Sequence, residues 1–277
     1  MKEIRNGKWF GICKLCGEEK PLCNAHLLPD SMKRLIVDFK SPGATVQTVH
    51  MESPTSYSSQ TLSSDKKILC ASCDAYLGKF DKKFVELLAR WADLPARSHQ
   101  FWRREDVVFY RVQGSIPDLF LGLLASLLRF SFSDRHPGIQ LGPDMEKLIA
   151  DSLLAGRISD ELSALVDLKV LGSHHALVAE GTDLSRVIAQ SPFYGEVDGA
   201  NLFVFETLGL TSIIKIGPSG WGKLFANVIS PVQEWDQIRI IGIHFSGTNI
   251  TRALDAAIEV RRAAFQLMDR NSSSPEK

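Results

Sequence analysis

Two pairs of cysteines have the spacing of a metal-binding site. The chain of 277 residues holds five cysteines, and four of them form the Cys-x-x-Cys pairs Cys13/Cys16 and Cys70/Cys73. Each pair belongs on a tight turn where both sulfurs can reach one metal ion, and two pairs supply the four ligands of a closed structural zinc site. The sequence therefore predicts one structural Zn²⁺ bound by these four cysteines.

A second set of ligands is compatible with the spacing. Cys23 and His26 follow the first pair closely enough to complete a four-ligand site with it. This set is less favoured, because it leaves the second pair of cysteines without a metal. Disulfides and redox activity are less favoured still, since we find no secretory signal at the N-terminus and no thioredoxin-like strand before either pair. We expect a reducing, cytoplasmic compartment.

The order of motifs around the cysteines resembles that of a known nuclease family. The segments concerned are Cys13-x-x-Cys16, Asn24-Ala-His26-Leu-Leu-Pro29, Asp65-Lys-Lys-Ile-Leu69 and Cys70-x-x-Cys73-Asp74. Together they resemble the zinc-containing HNH endonucleases of the His-Me finger (ββα-metal) superfamily. The resemblance covers residues 9–91 and extends to bacterial proteins in which such a module precedes a larger domain.

The resemblance implies a role for each of three polar residues. His26 takes the position of the general base that activates a water for attack on a phosphodiester, a task suited to imidazole near neutral pH. Asp65 takes the position that orients this base, and Asp74 that of a ligand to a catalytic Mg²⁺ or Mn²⁺. The position before the base is often an aspartate ligand but is Ala25 here, and Asp30 is a carboxylate that could replace it.

Each of these three residues also has a purely structural interpretation. His26 can be a buried histidine that hydrogen-bonds the backbone of the zinc turn. Asp74 can be a carboxylate that stabilises the positive N-terminal end of a helix. For Asp65 an exposed loop acid is the favoured interpretation.

The second cysteine pair leads into a predicted amphipathic helix from Ser72 to Trp91. Its apolar residues recur at spacings of three and four, which places them in one stripe along the helix. They are Leu77, Phe80, Phe84, Leu87, Leu88 and Trp91. The other face carries Lys79, Lys82 and Lys83, which we predict either to be simply solvated or to contact the phosphates of nucleic acid.

The remaining elements follow from periodicity and turn signals. The apolar run from Ile116 to Phe132 is interrupted by Arg129 and is shorter than the ~20 residues of a membrane span, so we predict a buried helix. Strands are predicted at 107–112, 168–178, 202–216 with a hairpin turn at 208–210, and 238–245. Further helices are predicted from residue 30 or 31 to Phe39, from Pro143 to Leu153 and from Ile250 to Met268.

These elements predict an α+β fold in two parts. Residues 1–98 form a small zinc-stabilised, ββα-metal-like module, residues 99–271 a larger mixed α+β domain, and residues 272–277 a disordered tail. Residues 1–104 hold 17 Lys and Arg against 11 Asp and Glu, and the rest of the chain holds 15 against 21. A basic part joined to an acidic part is typical of a module that faces nucleic acid, although such excesses also arise by chance.

Three functions are compatible with these features. The first is a metal-dependent HNH-type nuclease that hydrolyses phosphodiester bonds in nucleic acid, which the family resemblance associates with bacterial defence. The second is a catalytically inactive zinc module that binds nucleic acid. The third is an interaction protein in which zinc only stabilises the fold. We expect no membrane contact, and residues 99–271 offer a surface for a protein partner or a second copy.

Overall fold

A computed structural model describes ten segments of the chain, residues 3–5, 8–36, 46–49, 56–59, 63–93, 107–172, 191–197, 199–217, 231–234 and 236–243. Its strands are β1 (Glu3–Arg5), β2 (Lys8–Ile12), β3 (Glu19–Leu22), β4 (Ala25–His26), β5 (Val46–Val49), β6 (Ser56–Ser59), β7 (Ser64–Asp65), β8 (Val107–Gln113), β9 (Val166–Gly172), β10 (Phe193–Val197), β11 (Ala200–Thr207), β12 (Leu210–Ile216), β13 (Val232–Glu234) and β14 (Gln237–Ile243). Its helices are α1 (Ala71–Ala92), α2 (Ile116–Phe132), α3 (Pro143–Ala155), α4 (Asp160–Leu165) and a 3₁₀ helix (Asp30–Leu35). The protein is therefore of mixed α and β structure, as the sequence predicts.

Short antiparallel strands precede α1. Strands β1, β2 and β3 form one small sheet, and β5 pairs with β6. Strand β4 pairs with β7, although 37 residues separate His26 from Ser64 in the sequence. The end of β3 also reaches the start of α1 through a bridge between Leu22 and Cys70. Residues from both ends of this N-terminal segment thus meet immediately before the first helix.

Helix α1 follows the second cysteine pair, as predicted. Cys70 has extended backbone angles at the N-cap position, and the helix continues to Ala92. All six residues of the predicted apolar stripe are buried. One side of this 22-residue helix therefore belongs to the core along its whole length.

Helix α2 is buried on every side. Its N-cap is Ser115, whose hydroxyl accepts a hydrogen bond from the Asp118 backbone N–H at 3.4 Å. Every residue from Leu119 to Phe132 is buried, which is the pattern of a helix that crosses the core of a protein. None of the helices in the described part of the chain is long and apolar enough to cross a membrane.

Helices α1 and α2 pack closely because of a glycine. A Cβ atom at Gly122 would lie 2.5 Å from Cβ of Phe84, so a larger residue would push the helices apart. The buried apolar residues of α1, α2 and the large sheet form one continuous cluster. The predicted domain boundary at residue 98 stays a prediction, but the helices on its two sides share this core.

The larger sheet has seven strands in the described residues. Strands β10, β11, β12 and β9 follow one another in antiparallel pairs. Strand β14 pairs with β8 along one edge, and its other edge pairs with β13 and, in parallel, with β9. The predicted hairpin at 208–210 is confirmed, because Leu208 and Gly209 have φ of 55° and 77°, as a two-residue turn of this kind requires.

Two predicted elements have different bounds in the structure, and a third falls outside the described residues. The helix predicted to reach Phe39 is a 3₁₀ helix that ends at Leu35, and residues 37–39 lie outside the described residues. Strand β9 begins at Val166 and is described to Gly172, before the predicted end at residue 178. The predicted helix at 250–268 and the tail also fall outside the described segments.

Candidate functional site

The four cysteines of the predicted zinc site lie together. The sulfur atoms of Cys13, Cys16, Cys70 and Cys73 are all within 4.8 Å of one another. Four thiolates around one zinc ion, each at about 2.3 Å, stand roughly 3.8 Å apart in a tetrahedron, so small adjustments would complete such a site. These four residues are close enough to hold one metal ion.

Backbone hydrogen bonds bring the two cysteine turns together. Within the first turn, the Gly17 N–H donates to the Cys13 carbonyl at 2.8 Å. Between the turns, Lys14 N–H donates to the Ile68 carbonyl and Cys23 N–H to the Leu69 carbonyl, both at 2.9 Å. The Cys70 N–H also donates to Cys13 Sγ at 3.3 Å, which is the geometry that stabilises a thiolate.

Without a bound cation, the four thiols cannot all be ionised. Burial raises the pKa of Cys13, and burial together with hydrogen bonds to neighbouring thiols raises the pKa of Cys73. For Cys70 burial acts in the same direction, but hydrogen bonds with Ser72 and the backbone of Cys73 lower its pKa to about 6. Several thiolates cannot accumulate in so small a space unless a cation offsets their charge, and a metal ion deprotonates the thiols that bind it.

The alternative ligands Cys23 and His26 are not part of this group. Cys23 is half-buried, and burial, together with the nearby Asp74 carboxylate, raises its pKa to about 11. Its sulfur is not among the four that lie within 4.8 Å of one another. The geometry thus favours the ligand set with two Cys-x-x-Cys pairs.

His26 lies at the end of β4, among charged groups from three elements. Its Nε2 is 3.8 Å from Oδ1 of Asp30, at the start of the 3₁₀ helix. The other oxygen of Asp30 is ion-paired with Lys33, while Oδ1 itself is buried and accepts no hydrogen bond. The His26 side chain is 33% exposed, so it can be reached from solvent.

Asp74 in the first turn of α1 is the second carboxylate near His26. Burial raises the pKa of Asp74. The Arg129 guanidinium lowers this pKa by a smaller amount, the Asp81 carboxylate raises it, and the His26 imidazole lowers it. Its Oδ1 is 4.0 Å from Nε of Arg129 on α2. His26 is thus close enough to Asp74 for an electrostatic interaction, and the catalytic roles that the resemblance implies for them stay a prediction.

Arg129 is held on its other side by Asp81. Its two terminal nitrogens donate to the two oxygens of Asp81 on α1, each at 2.8 Å. The Arg129 side chain is 1% exposed, and its Nε has no hydrogen-bond partner. Neither Arg129 nor Asp81 was predicted as a site residue; the signal for Arg129 is a charge inside an otherwise apolar run.

Asp65 does not orient His26. It lies opposite Ala25 in the β4–β7 pair, while His26 lies opposite Ser64. Neighbouring residues of a strand point to opposite faces, so the Asp65 and His26 side chains point apart. Asp65 is buried rather than exposed, and it accepts hydrogen bonds from Ser133 Oγ at 2.8 Å and from the Lys67 backbone N–H at 3.0 Å.

The residues around Asp74 do not fit a bound Mg²⁺ or Mn²⁺. In the part of the chain that the structure describes, the four cysteines are the only group of three or more potential ligands that converge. Ala25 offers no side-chain ligand, Asp65 points away, and the guanidinium of Arg129 lies next to Asp74. A hard divalent cation needs several oxygen ligands, which this arrangement lacks.

Two of the three lysines on the predicted basic face of α1 interact with other side chains. Lys83 Nζ is ion-paired with Asp118 of α2 at 2.8 Å, and Lys79 Nζ lies 4.7 Å above the ring of Tyr76. Lys82 is exposed. Lys79 and Lys82 are therefore the two of these lysines that a ligand could meet without displacing an ion pair.

Comparisons with known proteins give no relative. No protein-family model matches the chain, and neither a curated protein nor a solved structure matches it. A function therefore has to be inferred from the geometry of the two sites and from the resemblance of the motifs.

Proposed function

We propose that this protein is a zinc-stabilised hydrolase of the HNH type that cleaves phosphodiester bonds in nucleic acid, with His26 as general base. The observation that carries the proposal is the β4–β7–α1 arrangement. His26 ends the first of two antiparallel strands, and Asp74 lies in the first turn of the helix that follows them, directly after Cys73 of the four-cysteine cluster. The two residues interact electrostatically. This is the order of elements that the resemblance implies.

Zinc is the proposed metal of the cysteine cluster. Four thiolates in one small site favour Zn²⁺ over Mg²⁺ or Ca²⁺, which prefer oxygen ligands. Held there, zinc would link the turn at Cys13 to the start of α1. Its role is structural, because all four positions are taken by protein ligands. The free thiols must stay unoxidised, so the proposal implies a reducing compartment.

In this proposal His26 accepts the proton of the attacking water. The partly exposed imidazole is accessible to a phosphate group, and the carboxylate next to its Nε2 is that of Asp30. Asp30 therefore takes the supporting role that the sequence suggested for Asp65.

The proposal is tested by incubating zinc-loaded protein with plasmid, single-stranded DNA and RNA, with Mg²⁺ or Mn²⁺ and with chelator. We expect cleavage that His26→Ala reduces by about a hundredfold or more, the usual contribution of a general base. His136→Ala, at a half-buried histidine packed on Phe130, is the matched control. Equal cleavage by His26→Ala and by the parent protein would disprove the role of His26, provided that both contain zinc.

A second function is favoured by specific features of the same site. Ala25 supplies no ligand, Asp65 points away from His26, and Arg129 lies against Asp74. These features suit a module that binds nucleic acid without cleaving it. Binding would then survive His26→Ala but weaken when Lys79 and Lys82 are replaced by alanine. The dependence of log affinity on log salt should also fall, by roughly one unit per lost phosphate contact. Unchanged affinity and salt dependence in that variant would argue against this function.

A further inference from the structure

Both carboxylates next to His26 already have a cationic partner from the protein. Asp30 is ion-paired with Lys33, three residues later in the 3₁₀ helix. Asp74 faces Nε of Arg129, which reaches it from α2. Each of these two carboxylates thus has a cation within 4.0 Å, although Arg129 shares its charge between Asp74 and Asp81.

The guanidinium of Arg129 lies beside Asp74, where a metal ion bound to this carboxylate would have to lie. Its guanidinium is buried and held by two parallel hydrogen bonds to Asp81. A guanidinium stays charged at all ordinary pH values, and this two-point contact leaves it little freedom to turn aside. Its remaining N–H, at Nε, is directed to no other group and lies 4.0 Å from Asp74 Oδ1.

We propose that Arg129 takes the place of a divalent cation beside Asp74, so that the His26 site acts on its substrate without a bound Mg²⁺ or Mn²⁺. The part about substrate rests on the proposed function, while the part about ion binding does not. A divalent ion at Asp74 would be repelled by the fixed guanidinium. It would also find no second carboxylate free of a cation, because Lys33 already binds Asp30.

The proposal makes Arg129 a positioning residue rather than a group that touches substrate. Asp81 holds Arg129 by two hydrogen bonds, and Nε of Arg129 lies 4.0 Å from the Asp74 carboxylate in the first turn of α1. These contacts link α1 to α2. Helix α2, which lies beyond the predicted N-terminal module, would thus complete the site.

Ion binding is measured by titrating Mn²⁺ into the full-length, zinc-loaded protein and following free Mn²⁺ by electron paramagnetic resonance. Mn²⁺ is the chosen probe because thiolates prefer zinc, so the cysteine cluster does not compete for it. We expect no binding that depends on Asp74, and therefore the same titration for the parent protein and for Asp74→Asn. Binding by the parent protein that Asp74→Asn abolishes would overturn the proposal.

Removal of the arginine should create the missing ion site. The variant Arg129→Leu/Asp81→Leu removes both charges of the buried pair, which avoids an unpaired buried charge. We expect its Mn²⁺ affinity to rise about tenfold or more as repulsion is lost, and to fall again when Asp74→Asn is added. No rise in a folded variant would overturn the proposal. If the variant does not fold, the comparison of the parent protein with Asp74→Asn decides alone.

The same two helices supply a matched control. Lys83 and Asp118 also form an ion pair between α1 and α2, but this pair is partly exposed and lies away from Asp74. We expect Lys83→Leu/Asp118→Leu to bind no more Mn²⁺ than the parent protein. An equal rise in both double variants would overturn the assignment to Arg129.

Activity gives a second, separable readout. If the parent protein cleaves nucleic acid, cleavage should persist in a chelator concentration that leaves the zinc in place, and strict dependence on added Mg²⁺ would overturn the proposal. Cleavage absent under every condition would disprove the proposed function. The Mn²⁺ titrations would still decide whether Arg129 takes the place of the ion.

Discussion

The cysteine cluster and the His26 site are neighbours, but they are assembled in different ways. The cluster uses two short turns, and all its ligands come from two Cys-x-x-Cys pairs. The His26 site draws on β4, the 3₁₀ helix, α1 and α2, and its charges come in opposed pairs. The first depends on two short Cys-x-x-Cys motifs that could hold one metal ion, and the second depends on the packing of two long helices.

Because the two sites are assembled differently, different substitutions should disrupt them. A cluster with all ligands on two turns fails when one ligand or the metal is lost. A site assembled by packing fails when a buried charge loses its partner, because the remaining charge stays in the core. The two sites should therefore respond to different substitutions, and by different amounts.

The largest effect is expected at the cysteine cluster. Cys70→Ser should abolish stoichiometric zinc binding and unfold the segment around it, because roughly 10 kcal/mol of binding free energy is coupled to folding in structural zinc sites. Zinc content and circular dichroism of the purified protein measure both effects. Cys23→Ser is the matched control and should retain its zinc. Equal zinc loss in the two variants would show that Cys23 is a ligand.

The next largest effect is expected at the buried charge pair between α1 and α2. Arg129→Met should lower the free energy of unfolding by about 3–5 kcal/mol, because Asp81 would be left buried without its partner. Urea denaturation of the zinc-loaded protein measures this loss. Zinc content should stay unchanged, and loss of the metal in a folded variant would show that the two sites are not independent.

A smaller effect on stability is expected from Glu206 in strand β11 of the larger sheet. This effect depends on pH, so it must be measured before pH profiles of the His26 site are interpreted. Burial raises the pKa of Glu206 to about 7, although Thr211 donates a hydrogen bond to its carboxylate. Since folding favours the protonated acid, the contribution of Glu206 to stability should be greatest below about pH 4.5 and should be lost as pH rises through about 7. The expected loss is on the order of 3 kcal/mol.

Denaturation of the parent protein and of Glu206→Gln at several pH values tests this expectation. The variant should lack most of the decrease between pH 4.5 and 7. An unchanged pH dependence in Glu206→Gln would assign the effect to other groups. If the expectation holds, Glu206→Gln is the proper background in which to measure the pH profile of His26.

The smallest effect on stability is expected at His26 itself. Its side chain is partly exposed, and no hydrogen bond joins it to the nearby carboxylate, which is 3.8 Å away. His26→Ala should change the free energy of unfolding by less than about 1 kcal/mol. A loss several times larger would identify His26 as a structural residue and weaken the case for catalysis. Thermal unfolding of the two zinc-loaded proteins makes the comparison.

Local pattern was enough to predict the cysteine cluster and most elements. The spacing of the cysteines names the ligands, and the stripe from Leu77 to Trp91 predicts a helix with one buried side. The hairpin follows from β-branched residues on both sides of a turn at Leu208 and Gly209. In each case the determining residues are close together in sequence, or share a motif that has one common use.

The His26 site could not be predicted from sequence in the same way. The direction of the Asp65 side chain depends on the register between β4 and β7, and a shift of one residue would have turned it towards His26. The Asp81–Arg129 pair joins residues 48 positions apart on two helices. Its geometry depends on how closely Gly122 lets those helices approach, which no local pattern encodes.

Helix α1 is a rigid connection between the cysteine cluster and the larger sheet. Its first turn carries two of the metal-binding thiols, and Trp91 near its far end donates a hydrogen bond from Nε1 to the Leu208 carbonyl in the hairpin turn. The two ends are about 30 Å apart at 1.5 Å per residue. A tilt of only about 5° at the thiol end would move Trp91 by roughly 3 Å. The indole packs against Gly172 too tightly to absorb such a movement, so the rigid helix would transmit a disturbance at the cysteine cluster to the end of β9 and to the hairpin turn.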